Sequence, residues 1–84
     1  MSPIAEEIHQ FVLRLVSTIV DYPDAVKVSI LESGSMIVVE LNTDARDMGK
    51  VIGKSGRMAQ SMRILLTAIA TKHKYKAVYQ ILGE

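Results

Sequence analysis

Met48-Gly49-Lys50-Val51-Ile52-Gly53-Lys54-Ser55-Gly56-Arg57-Met58 is the stretch of this 84-residue chain whose residue types and spacing can do chemistry. Three glycines and three basic residues stand in it, an apolar pair precedes Gly53-Lys54-Ser55-Gly56, and an amphipathic helical pattern follows. A Gly-x-x-Gly turn lets another backbone come close, because neither end carries a Cβ. The N–H groups that open the following helix have no partner within it and favour an anion. Lys50, Lys54 and Arg57 add full positive charge. The object such a turn fits is a phosphate backbone.

Other phosphate cradles fail on spacing. A Walker A loop needs G-x-x-x-x-G-K-[ST]. Gly53-Lys54-Ser55 supplies its end, but the required first glycine falls on Met48, with Gly49 one position late. The turn also follows a helical pattern rather than a strand. A dinucleotide site needs G-x-G-x-x-G after a strand and an acidic residue about 20 positions on, and both are absent. Catalysis has little to stand on: there is no cysteine, the only histidines are His9 and His73, and Ser55 has no base in a recognisable arrangement. His73, between Lys72 and Lys74, reads as basic surface. His9 reads as a boundary residue beside an apolar stripe, not a metal ligand. No enzyme, metal or cofactor is expected.

The hydrophobic content of 49% supports a packed core. The length predicts one domain over residues 1–84. The lack of cysteine leans towards the cytoplasm, and no apolar run approaches the roughly 20 residues of a membrane span. The net charge of +1 hides an asymmetry. Residues 1–45 carry two basic against seven acidic side chains, and residues 46–84 carry eight against two. Such a division marks a module with one face for a polyanion.

The elements that must position the turn follow from periodicity. Ser2-Pro3 reads as an N-cap with proline at the first helical position. Ile4, Ile8, Phe11, Val12, Leu15, Val16, Ile19 and Val20 then recur on one helix face, and Asp21-Tyr22-Pro23 stops the helix. The period switches to two at Val26, Val28 and Ile30. Ser33-Gly34-Ser35 turns the chain into a second strand, Met36 to Leu41, apolar at nearly every position as a central strand should be. Leu31, Met36 and Val38 are expected on the sheet face away from the helices. A short helix of about two turns spans Ala45 to Val51. Behind the turn, Met58, Met62, Leu65, Leu66 and Ile69 form the expected core face of a helix. Gln60, Arg63, Thr67 and Thr71 form a polar one, and Ile64 is an apolar residue off the core stripe. Tyr75 to Leu82 reads as a last strand whose two faces the alternation does not distinguish. The order α-β-β-α-α-β predicts a three-stranded mixed sheet with helices on one face, an α+β fold, the last two strands parallel through a right-handed crossover.

Val51-Ile52-Gly53-Lys54-Ser55-Gly56-Arg57 resembles the (V/I)-I-G-x-x-G motif of KH domains, which clamps about four nucleotides of single-stranded backbone. The element order resembles the type II arrangement. With Asp47-Met48-Gly49-Lys50 leading into the turn and the likeness covering essentially the whole chain, it resembles the small bacterial RNA-binding proteins of the KhpA family. One departure stands at Ala59, where the family usually carries Ile.

The resemblance implies that Gly53 and Gly56 admit the RNA backbone while Lys54 and Ser55 face its phosphates. It implies that Lys50 and Arg57 flank the cleft, that Ile52 bridges core and groove floor, and that Gly49 permits close packing of the short helix. Val38 or Val39 is expected to wall the groove. No aromatic residue lies in or beside the turn in sequence, so little base selectivity is expected. A bacterial RNA chaperone or post-transcriptional regulator is implied, working as a homodimer or with a larger Jag-type KH protein, with Ile64 and the apolar second strand as candidate contacts. The competing reading is a dimerisation or adaptor module that binds little RNA.

Overall fold

In the computed structural model, which describes residues 1–83, the chain starts in a helix that its first residues cap. The Ser2 hydroxyl accepts the Ala5 N–H at 3.1 Å, and Pro3 opens α1 (Pro3–Ile19) where its missing N–H costs nothing. Ile4, Ala5, Ile8, Val12 and Val16 are buried, with Phe11, Leu15 and Ile19 half-buried beside them. Pro23 stops the helix and begins a 3₁₀ turn, Pro23–Ala25. Strands β1 (Lys27–Ser33) and β2 (Met36–Asn42) pair antiparallel, with Lys27 opposite Asn42 and Ser33 opposite Met36. Gly34, at φ +57°, makes the tight link.

A 3₁₀ turn over Ala45–Asp47 leads into α2 (Met48–Ile52), so the expected two-turn helix is split in two. A further 3₁₀ turn, Lys54–Gly56, leads into α3 (Arg57–Lys72). Strand β3 (Lys76–Ile81) lies parallel to β2, from Met36 opposite Lys76 to Leu41 opposite Ile81. The sheet order is β1-β2-β3, the predicted mixed sheet with the apolar strand at its centre.

Ile37, Val39 and Leu41 of β2 are fully buried with Ile8, Val12, Val16, Met62 and Leu66. Alternation sends Leu31, Val38 and Val78, in register across the sheet, to the other face. Leu31 is 58% and Met36 38% exposed, as the sequence predicts. On β3 the set Ala77, Tyr79 and Ile81 packs with the core, a choice the alternation alone leaves open.

One expectation for α3 is corrected. Leu65 is 44% exposed, and the buried line is Ala59, Met62, Leu66 and Ala70. Leu65 sits about 100° round the helix from Leu66. The alanines Ala59 and Ala70, easily passed over as weak hydrophobes, are buried at 5% and 0% exposure. Ala59, at the departure from the family pattern, is thus a core residue.

Burial pushes the Tyr79 phenol up to about 12, against the opposing pull of the Arg63 guanidinium. The phenol ionises in the unfolded chain near pH 10. The stability that its neutral form contributes is therefore intact below pH 10 and lost as pH rises from about 10 to 12. Melting temperatures across that window should fall by a few degrees more for the wild type than for Tyr79→Phe.

Candidate nucleic-acid interface

The turn between α2 and α3 is built around Gly53. Its N–H closes α2 on the Gly49 carbonyl at 2.9 Å, and its backbone sits at φ +80°, ψ 169°. A Cβ there would lie 2.6 Å from the Met58 Cβ and 2.7 Å from the Met58 nitrogen. Only glycine fits. Gly56 donates to the Gly53 carbonyl at 3.1 Å, and Ser55 and Gly56 both take left-handed conformations, at φ +56° and +73°.

Gly56 caps the 16-residue α3 and brings no side chain to its positive end, where the Arg57 N–H donates to the Lys54 carbonyl. Lys54, Ser55 and Arg57 are exposed, and among the described residues Lys54 and Arg57 form no ion pair. Ile52, the last residue of α2, is half-buried and packs against the core. Gly49 departs from its expected role. A Cβ there would meet nothing within 4 Å, so packing of α2 does not require it.

From Gly56 the same side of α3 carries Gln60, Arg63 and Thr67, at helical spacing. Arg63, Leu66 and Thr67 line a cavity of about 240 Å³ with Ala77, Val78 and Tyr79. A shallower depression over Gln60, Arg63, Ile64 and Thr67 adjoins it. The wall opposite α3 is therefore β3, an edge strand whose outer backbone groups pair with no other strand among the described residues. Neither Val38 nor Val39 walls this groove: β2 is central, Val39 is fully buried, and Val38 shares the helix-free face with Leu31. The polar spacing of Gln60, Arg63 and Thr67 is legible in the sequence, but its pairing with Tyr79 is not. The Arg63 guanidinium lies 5.8 Å from the centroid of the Tyr79 ring, a buried aromatic in the lining between α3 and β3 rather than at the turn.

The other side of α2 is fastened by Asp47, which the sequence marks only as part of the run leading into the turn. Asp47 is 0% exposed, and its carboxylate accepts the Asp21 N–H at 3.1 Å and the Tyr22 N–H at 3.0 Å. The Arg46 guanidinium lies 3.6 Å over the Tyr22 ring. Asp44 orients it through bonds of 2.9 Å and 2.8 Å, which hold the Asp44 carboxyl down at about 2. The Lys50 ammonium pairs with Asp21 at 3.2 Å. His9 is a boundary histidine, its Nε2 bonded to the Val28 carbonyl at 3.0 Å. Among the described residues no helix is long and apolar enough to cross a membrane.

A Gly-x-x-Gly turn joining two helices, in α-β-β-α-α-β order over a mixed three-stranded sheet, defines a type II KH domain. The chain belongs to the family described as "KhpA/KhpB, KH domain", which matches residues 9–81 and is not a family of enzymes. Curated relatives carry the name RNA-binding protein KhpA. That of Caldanaerobacter subterraneus subsp. tengcongensis is 41% identical over 73 residues, covering 87% of this chain and 97% of the relative. That of Aquifex aeolicus is 44% identical over 64 residues, covering 76% and 81%. That of Clostridium acetobutylicum is 38% identical over 73 residues, covering 87% and 97%. No solved structure gives a significant match.

Proposed function

We propose that residues 1–84 act as one KH domain that clamps single-stranded RNA through Gly53-Lys54-Ser55-Gly56. The observation that carries this reading is the exposed turn itself. It holds two cations, Lys54 and Arg57, that have no carboxylate partner among the described residues and stand at the positive end of α3. Gly53 and Gly56 let the backbone approach, Lys54 and Ser55 meet phosphates, and Lys50 and Arg57 flank the path. Gly49, free of any packing duty, leaves open surface beside it. Ile52 lies under the turn. Bases lie along α3 and the edge of β3. The relatives' name as RNA-binding proteins supports the same reading.

One groove for about four nucleotides gives modest affinity and low sequence selectivity. The role this suits is a cytoplasmic RNA chaperone or post-transcriptional regulator that gains affinity through a second KH unit. That unit is a second copy or a larger Jag-type KH protein, and the family's span over KhpA and KhpB supports a KH partner. Exposed Ile64, at 61%, and Leu65 on the outer side of α3 favour the adaptor reading as the alternative.

A salt series separates the two. Four phosphate contacts predict a slope of log affinity against log salt of about −3 for a short single-stranded RNA. No measurable binding to RNA, alongside a salt-insensitive protein complex, would leave the adaptor reading in its place.

A further inference from the structure

Of the three cations around the turn, Lys50 alone has a carboxylate against it among the described residues. That carboxylate, Asp21, belongs to the connection between α1 and β1. The backbone that carries it is held in place. The Asp21 backbone N–H is bonded to Asp47, fully buried at the start of α2, and the next N–H, of Tyr22, is bonded to the other oxygen of the same carboxylate. Arg46 closes over the Tyr22 ring from the neighbouring position. The connection is thus fastened from within the core to the helix that carries Lys50, one turn before Gly53. The ammonium and the Asp21 carboxylate are themselves solvent-accessible, at 44% and 66% of their side-chain surface, so an incoming phosphate can reach both.

We infer that Asp21 is an affinity-determining residue of the RNA site: its carboxylate competes with phosphate for Lys50 and keeps the strand on the Lys54 and Arg57 side of the turn. This rests on the RNA reading of the turn. In the free protein the Lys50 charge is already answered. A phosphate on the α2 side must displace Asp21 and lie beside its charge, whereas one at Lys54 or Arg57 displaces only water and counterions. The fold therefore makes a symmetric-looking run of basic residues one-sided, directing the strand to α3 and the groove along β3.

The test is a double-mutant cycle of Asp21→Asn and Lys50→Gln, measured as binding of a short single-stranded RNA across a salt series. Asp21→Asn should bind about threefold tighter, as expected for removing a competitor of exposed-ion-pair strength. Its salt slope should steepen by about 0.7, one further phosphate contact. Both gains should vanish in the Lys50→Gln background. General relief of negative charge would persist there, so an equal gain in both backgrounds overturns the inference, as does no gain in either. Both variants are at exposed positions, and melting curves matching the wild type establish that they fold. If the wild type itself binds no RNA at low salt, the reading of the turn falls and this inference with it. If the wild type binds and Asp21→Asn changes nothing, only the role of Asp21 falls.

Discussion

Gly53→Ala lowers the melting temperature of this protein by about 10 °C or more. Two costs combine. The backbone at φ +80°, ψ 169° lies where residues with a Cβ rarely go, at about 1–3 kcal/mol. The new methyl would also overlap the Cβ and backbone nitrogen of Met58, so α3 has to shift at its first turn, an overpacking cost of about 1–3 kcal/mol. For a domain of this size each kcal/mol moves the midpoint by about 4–8 °C. Gly49→Ala is the matched control. Its Cβ meets open space, and alanine is the better helix former by about 1 kcal/mol, so its melting temperature should stay level or rise. Equal melting of the two variants would show that Gly53 is not the pivot of the turn.

Lys54→Asp/Ser55→Asp should reduce RNA binding more than tenfold while leaving the fold intact. Both side chains are exposed, and aspartate is among the residues that best tolerate the left-handed conformation of position 55. Carboxylates at the start of α3 also complement its dipole, so the melting temperature should hold or rise slightly. The same carboxylates occupy the place of the phosphates and replace attraction by repulsion. Tenfold corresponds to about 1.4 kcal/mol, well within what the loss of a phosphate contact and the added repulsion supply. Thermal melting and an RNA titration on the same sample decide it. A folded variant that binds like the wild type removes the turn from the RNA site.

The sequence alone determined what depends on neighbours along the chain. Helical spacing from Ile4 to Val20 placed α1, and the switch to period two at Val26 placed β1. The apolar run Met36 to Leu41 marked the central strand, and its alternate residues Ile37, Val39 and Leu41 are the ones the helices cover. Gly53-Lys54-Ser55-Gly56, between helical patterns and among basic residues, marked the candidate site.

Tertiary structure decided what depends on contacts between distant residues. In sequence Asp47 is part of the run leading into the turn, with nothing to say that it is buried. It is buried because N–H groups 26 and 25 positions earlier reach its two oxygens. Val39 and Val38 are equivalent wall candidates until the sheet order puts β2 at the centre and β3 at the edge. Leu65 has the more hydrophobic side chain, yet Ala59 and Ala70 are the buried positions, because helix phase decides which side of α3 meets the core. Gly49 and Gly53 look alike as letters. Only the position of Met58 makes one of them indispensable. Local periodicity fixes which residues share a face. What lies across from that face is fixed by chain segments far away, and from there come the groove, the buried carboxylate and the pairing of Lys50.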